Sequence, residues 1–67
     1  MRTLFFIQME WPNGVGHPTN PGGTHWEIIM ETTGRLFQQH LDACKAADPD
    51  EKFRAIRRDV MPDVVIA

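Results

Sequence analysis

"WPNGVGHPTNPGGTHW", residues 11–26, separates two apolar stretches and decides how this chain folds. Its prolines fix φ and remove backbone donors, while its glycines permit positive φ, so the segment suits neither a helix nor a regular strand. Asn13-Gly14 is a turn dipeptide. We therefore expect a long loop that joins two strands of a hairpin, with Trp11 and Trp26 as cross-strand neighbours at its base.

The stretches on either side of the loop predict the two strands. Before it, "TLFFIQMEW" (residues 3–11) is rich in β-branched and aromatic residues, which favour strands. After it, residues 25–33 also fit a helix, because Thr24 and Glu27 form a capping box. Gly34 and the β-branched pair Thr32-Thr33 disfavour that helix, and the first strand needs a partner. We favour the strand, which puts Trp26 on the same face as Ile28 and Met30.

The second half of the chain predicts two helices. In "GRLFQQHLDACKAADP", apolar residues recur at spacings of three and four, which is typical of an amphipathic helix. Asp48-Pro49-Asp50-Glu51 has the residues of a helix start, and Pro62 would end the second helix after Val60. "DVVIA" predicts a short last strand. The fold class is therefore α+β, a single small two-layer β-β-α-α-β domain over residues 1–67. An antiparallel hairpin and a short C-terminal strand pack on two helices. The predicted core comprises Phe5, Ile7, Met9, Trp26, Ile28, Met30, Leu36, Phe37, Leu41, Phe53, Ile56, Val60 and Val65.

Composition limits the class of protein. The chain has 67 residues, enough for one small core, and its formal charge of −2 is unlike that of a basic nucleic-acid binder. Its single cysteine, Cys44, excludes an internal disulfide. No apolar run reaches the length of a membrane span, and the apolar start is too short for a signal peptide. We expect a leaderless cytoplasmic protein.

No motif predicts catalysis or a cofactor. The chain has no serine, and Cys44 lies in mid-helix, away from the helix N-terminus that would activate a thiol. The glycine-rich loop matches no phosphate-binding pattern. A zinc-stapled module is one alternative, because histidines and the cysteine are potential ligands, although their spacing matches no familiar zinc pattern and packing is the favoured role. Those residues are His17, His25, His40 and Cys44.

Two surfaces are candidates for binding. Two helices cover one side of a sheet, so the other side would expose apolar residues with an acidic edge, as interaction surfaces do. The alternative is a nucleic-acid contact on the exposed side of the second helix, although nearby acids favour a solvated face there. The partner-binding candidates are Leu4, Phe6, Glu10, Glu27, Ile29 and Glu31. The nucleic-acid candidates are Lys52, Arg54, Arg57 and Arg58.

Size class and elimination, rather than a motif, give the functional expectation. Small, mildly acidic chains without reactive groups are typical of stoichiometric inhibitors carried by phages and other mobile elements, of which anti-CRISPR proteins are the best known. We expect a non-enzymatic protein that binds another protein, with a nucleic-acid-guided host defence complex as the target. A second copy of the chain is another possible partner, and a small nucleic-acid-binding regulator is the alternative function.

Overall fold

The computed structural model describes residues 2–14 and 22–67, and these form a four-stranded antiparallel sheet with one helix. The strand order is β2-β1-β3-β4, so β1 lies inside the sheet and β2 forms one of its edges. The α+β class is therefore confirmed, with the element order β-β-α-β-β. The elements are β1 (Leu4–Pro12), β2 (Thr24–Thr32), α1 (Phe37–Ala47), β3 (Phe53–Arg58) and β4 (Val64–Val65).

The hairpin around residues 11–26 is confirmed. β1 and β2 pair antiparallel from Phe5 opposite Thr32 to Pro12 opposite Thr24, and the Asn13 amide donates to the Gly23 carbonyl at 2.8 Å. Residues 24–32 are a strand rather than a helix. Pairing with β1 gives one edge of this strand its backbone hydrogen bonds, its β-branched and aromatic residues favour a strand, and Gly34 falls beyond the strand's end.

The prediction of a second helix is wrong, because residues Phe53–Arg58 form β3. The proline-acid segment before it, Asp48-Pro49-Asp50-Glu51, forms a turn instead of a helix start. In this turn the Glu51 amide donates to the Asp48 carbonyl at 3.1 Å. Asp at the first position and Pro at the second suit a β-turn as well as a helix start. The turn returns the chain to β1, whose second edge would otherwise lack hydrogen-bond partners.

The first predicted helix is confirmed as α1. The amide of Leu36, the residue before it, donates to the Thr33 carbonyl and side-chain hydroxyl, both at 3.2 Å. At the other end the Asp48 amide donates to the Cys44 carbonyl at 3.0 Å. Leu41 is the buried residue of the helix. The helix thus rests on the sheet through one short apolar stripe.

The sheet face under α1, called the inner face below, carries the main core. Ile7, Leu41, Phe53 and Ala55 form a buried cluster, with Met9, Phe37, Cys44 and Ile66 packed against it. The predictions of Ile7, Leu41, Phe53 and Ile56 as core are confirmed, and Phe6 and Ala55 are buried without having been predicted. The prediction is wrong for exposed residues, because α1 contacts chiefly β1 and β3 and no second helix covers the rest. These residues are Ile28, Met30, Leu36, Val60 and Val65.

The C-terminal strand is confirmed, and it is short. β4 pairs with β3, with Val65 opposite Ile56, and beyond it the Ala55 amide donates to the Ala67 carbonyl at 2.9 Å. This pairing brings Ile66 against the inner core. None of the helices in the described ranges has the length and apolar character needed to cross a membrane.

Candidate functional site

The sheet face opposite α1, called the outer face below, is the candidate site. Residues directly opposite in antiparallel strands share a face. Phe6 lies opposite Ile56, and Gln8 lies opposite Arg54, so these four side chains are neighbours on the outer face. Phe6, Gln8 and Ile56 are buried although the helix lies on the other side. The outer face therefore has a small packed centre of its own.

A β-bulge decides which residues of β2 join this face. Ile7 pairs with Met30 whereas Gln8 pairs with Ile28, so Ile29 is the extra residue. An extra residue reverses the alternation of side chains on either side of it. Trp26 and Ile28 consequently lie on the outer face, although the sequence predicts them on the helix-covered face.

The same bulge splits the predicted partner-binding residues. Leu4, Phe6 and Glu10 lie on the outer face by their position in β1, and Glu31 lies opposite Phe6. Ile29 sits at the bulge with 43% of its surface exposed. Glu27 lies opposite Met9 on the inner side and accepts a 2.9 Å hydrogen bond from His25 Nε2. The expected rim of three glutamates is therefore reduced to Glu10 and Glu31 on this face.

The predicted basic surface is also divided, because its residues lie on or beside a strand. Arg54 and Arg58 point to the outer face, whereas Arg57 lies opposite Phe5 on the inner side. Arg57 Nε is 3.4 Å from Asp59 Oδ2, outside hydrogen-bond geometry. Lys52 is exposed just before β3. The exposed helix face that was expected to gather the four cations does not exist, since alternation in a strand separates them.

Arg58 is already bonded to an acid, Asp63, and lies against a ring of the outer face, Phe6. Its Nε and Nη2 donate to the two carboxylate oxygens of Asp63 at 2.8 and 2.9 Å, and its guanidinium lies 5.0 Å from the Phe6 ring centroid. The hydrogen bonds from Arg58 hold the pKa of Asp63 below its usual value, against a smaller opposing effect of burial. Such a bidentate pair leaves little capacity for another acid. At the sheet edge, Arg2 and Glu31 form a looser, exposed pair at 3.6 Å.

Arg54 is held differently. Its Nε donates to Gln8 Oε1 at 2.7 Å, and its Cζ lies 4.2 Å from the Trp26 ring centroid, in cation–π geometry. Within residues 2–14 and 22–67, no carboxylate oxygen lies within 4 Å of this guanidinium. The sequence predicts Trp26 in the core rather than beside Arg54. The contacts with Arg54 depend on the β1–β3 register and on the bulge, neither of which leaves a local pattern.

The metal candidates do not converge in the part of the chain that the structure describes. His25 bonds Asn13 and Glu27 in the hairpin, His40 Nδ1 lies 2.6 Å from the Thr32 hydroxyl, and Cys44 belongs to the inner core. No group of three potential ligands forms among these residues. His17 lies outside the described residues.

An open cleft of about 480 Å³ lies beside the outer face, between the end of β3 and β4. Its walls are Arg58, Met61, Pro62 and Asp63. The two charged walls are already bonded to each other, so the cleft presents an apolar surface in Met61, which is 91% exposed. It extends the apolar area of the outer face toward β4.

Comparisons with known proteins give no family: no protein-family model, curated protein or solved structure matches this chain.

Proposed function

We propose that this protein is a non-catalytic binding module that docks on another protein through its outer face and the adjoining strand β2. The observation that carries the proposal is the exposure of two adjacent apolar residues in β2: Ile28 on the outer face and Ile29 at the bulge beside it are each 43% exposed. Apolar side chains that are contiguous on a surface mark interaction sites more often than isolated ones do.

The position of β2 strengthens this proposal. It is a nine-residue edge strand, and its partner among the described strands is β1 alone. Among the described residues, the outer edge of residues 26–32 therefore has no strand partner, and it lies next to apolar side chains, which is how sheets accept a strand from another chain. Trp26 of β2 and Arg54, which lies against its ring, are of the residue types that dominate binding energy in interfaces.

Paired variants of tagged protein test the docking surface. Ile28→Lys/Ile29→Lys places two charges at exposed positions of β2. The control, Gln39→Lys, places one charge at an exposed position of α1. Both variants should keep the wild-type circular dichroism spectrum, since the altered side chains are exposed. We expect a complex of fixed stoichiometry from bacterial lysate with wild type and Gln39→Lys, and its loss with the double variant. Native mass separates a second copy from a different protein. Equal capture by all three would refute this surface.

We propose a stoichiometric inhibitor of the anti-CRISPR type, acting in the cytoplasm on a nucleic-acid-guided host defence complex. The small size and the formal charge of −2 support it. Glu10 and Glu31 would face basic residues of the groove that otherwise holds nucleic acid, and complementary charge speeds encounter and gives selectivity.

A plasmid-interference assay tests this target. Cells that carry such a defence complex reject a plasmid with a matching target sequence, and expression of the inhibitor should restore transformation. Glu10→Lys/Glu31→Lys should abolish the restoration, whereas Glu27→Lys, which lies on the other sheet face, should preserve it. Undiminished interference across a panel of defence systems, with the protein folded and expressed, would refute this target.

A nucleic-acid-binding regulator is the second candidate, and one observation favours it. The Arg54 guanidinium lies against Trp26 on an open sheet, and single strands bind sheets that offer aromatic and cationic groups. Anisotropy of a labelled dT12 or U12 oligonucleotide tests it. Binding that weakens steeply as salt rises and that Arg54→Gln abolishes would support this candidate. No binding at 20 mM salt, roughly the low-salt limit where screening is weakest, would remove it.

A further inference from the structure

We propose that Arg54 is a carboxylate-binding position, which takes an Asp or Glu side chain of the partner protein from within an apolar segment. This inference rests on the proposed protein-binding function and assigns the chemistry that the outer face recognises. According to this inference, the cation Arg54 at the centre of the outer face attracts an acid of the partner, while the glutamates at the edge attract its basic residues.

The contacts of Arg54 leave one side of its guanidinium available. The Nε–H is used by Gln8 Oε1 at 2.7 Å, and the ring of Trp26 supports the guanidinium plane at 4.2 Å. The two Nη atoms make no hydrogen bond to any residue of the described ranges. A planar guanidinium matches the two oxygens of a carboxylate in parallel hydrogen bonds.

The group that holds Arg54 is itself fixed. Gln8 is only 8% exposed and lies directly opposite Arg54 in the sheet, so both side chains project from paired strands. Because contact with Gln8 and Trp26 already restricts the long side chain, less rotamer entropy is lost when a ligand binds. The Arg54 side chain is therefore held in position to bind an anion even when no ligand is present.

The other cations of this face are less available. Arg58 is bonded to both oxygens of Asp63, and Arg2 is paired with Glu31. Asp63 also responds to Arg54, but this is the weakest of the influences on its pKa, after the hydrogen bond from Arg58. An incoming carboxylate at Arg54 therefore competes with no acid of the described residues within 4 Å, whereas at Arg58 it would have to displace Asp63.

The surroundings favour an acidic protein segment over a nucleic acid. Glu10 and Glu31 share the face with Arg54 and repel a chain of phosphates. The nearest ring, Trp26, already has the Arg54 guanidinium over it, so that side is closed to a stacking base. Ile28 and Ile29, both 43% exposed, offer contact to apolar neighbours of a single acid.

Selection of peptides tests the proposal without a known partner. A displayed library of random 12-residue peptides is selected on wild type, Arg54→Gln, Arg54→Lys and Arg35→Gln. Arg35 is the matched control, because it is exposed and lies near the start of α1. Wild type and Arg35→Gln should enrich Asp or Glu beside apolar residues at least threefold over the unselected library. Arg54→Gln should lose that enrichment, and Arg54→Lys should lose most of it, since it keeps the charge without the planar fork.

Titration calorimetry of the best peptide then measures the contact. We expect Arg54→Gln to weaken binding about tenfold or more, equivalent to about 1.4 kcal/mol. The same loss should follow replacement of the peptide's acid by its amide, and the two changes together should cost no more than either alone. Additive losses would refute a direct contact. Circular dichroism confirms that each variant is folded.

Failure of this inference is distinguishable from failure of the docking surface. Apolar peptides without an acid preference that bind wild type but not Ile28→Lys/Ile29→Lys would refute the Arg54 site and retain the proposed function. Equal selection on wild type and that double variant would refute both. Oligonucleotide binding that depends on Arg54, without selection of acidic peptides, would assign the cation to nucleic acid instead.

Discussion

Replacement of Leu41 by alanine tests how the helix is held. Leu41 is 1% exposed and is the buried residue of α1, and it packs in the same cluster as Ile7 and Phe53. Leu36, five residues earlier at the start of α1, is 42% exposed although the sequence predicts it in the core. Leu41→Ala and Leu36→Ala therefore make the same chemical change at a buried and at an exposed position.

The expected free energies follow from these exposures. Leu→Ala removes three carbons, which is about 2.4 kcal/mol of lost burial at about 0.8 kcal/mol each, and a cavity adds to it. We expect Leu41→Ala to lower the free energy of unfolding by about 3 kcal/mol. Leu36→Ala should lower it by less than about 1 kcal/mol, because its open side leaves no closed cavity. Leucine and alanine are both good helix formers, so the change in helix propensity contributes little to either loss.

Urea denaturation followed by circular dichroism at 222 nm measures both changes. A difference of about 2 kcal/mol between the variants corresponds to roughly 8–16 °C in melting temperature for a domain of this size. If Leu41→Ala is unfolded in buffer, Leu41→Val gives a smaller step of about 1 kcal/mol on the same scale. Equal losses at Leu41 and Leu36, or losses below about 0.5 kcal/mol at both, would refute the described helix packing.

Two further predictions concern the glycines and an ion pair. Alanine at Gly34 would place its Cβ 3.1 Å from Cζ of Phe5, so Gly34→Ala should destabilise by about 1 kcal/mol through crowding. At Gly14 an added Cβ meets no described residue within 4 Å, so Gly14→Ala should be neutral or stabilising, by up to about 1 kcal/mol. The reverse order of the two variants in urea melts would contradict the packing. The pKa of Asp63 is lowered in the fold by its hydrogen bonds to Arg58. Its contribution to stability is therefore present above the unfolded pKa and is lost as pH falls through the lower folded pKa. The melting-temperature difference between wild type and Asp63→Asn should be full at pH 6 and should shrink in acid, below about pH 4; a difference that does not depend on pH would exclude this pair as its cause.

The chain after α1 shows why one helix was predicted correctly and the other was not. "FRAIRR" fits two periods, since Phe53 and Ile56 are three apart for a helix while Phe53 and Ala55 alternate for a strand. The proline-acid segment before it suits a helix start and a β-turn equally. Pairing with β1 settles the choice, because a central strand needs hydrogen-bond partners on both sides. That demand comes from a segment more than 40 residues away.

The candidate site was predictable only in part. Alternation within β1 correctly places Leu4, Phe6 and Glu10 on one face, because a regular strand keeps a period of two. Alternation within β2 fails at the bulge opposite Ile7 and Gln8. A bulge depends on how two strands fit together, so neither strand alone predicts it. The sequence predicts Arg54 only as one of four basic residues in a nucleic-acid contact. Its contact with Gln8 could not be predicted, because it depends on the β1–β3 register.

The amino-acid sequence by itself determined the two hairpin strands and the first helix, because turn residues and apolar spacing act over a few neighbouring residues. Only the tertiary structure decided that residues 53–58 are a strand, which side of the sheet Trp26 and Glu27 occupy, and that Arg54 bonds Gln8 with no carboxylate of the described residues within 4 Å. Those outcomes depend on hydrogen bonds and contacts between distant segments, whose energies are comparable to the local preferences they override.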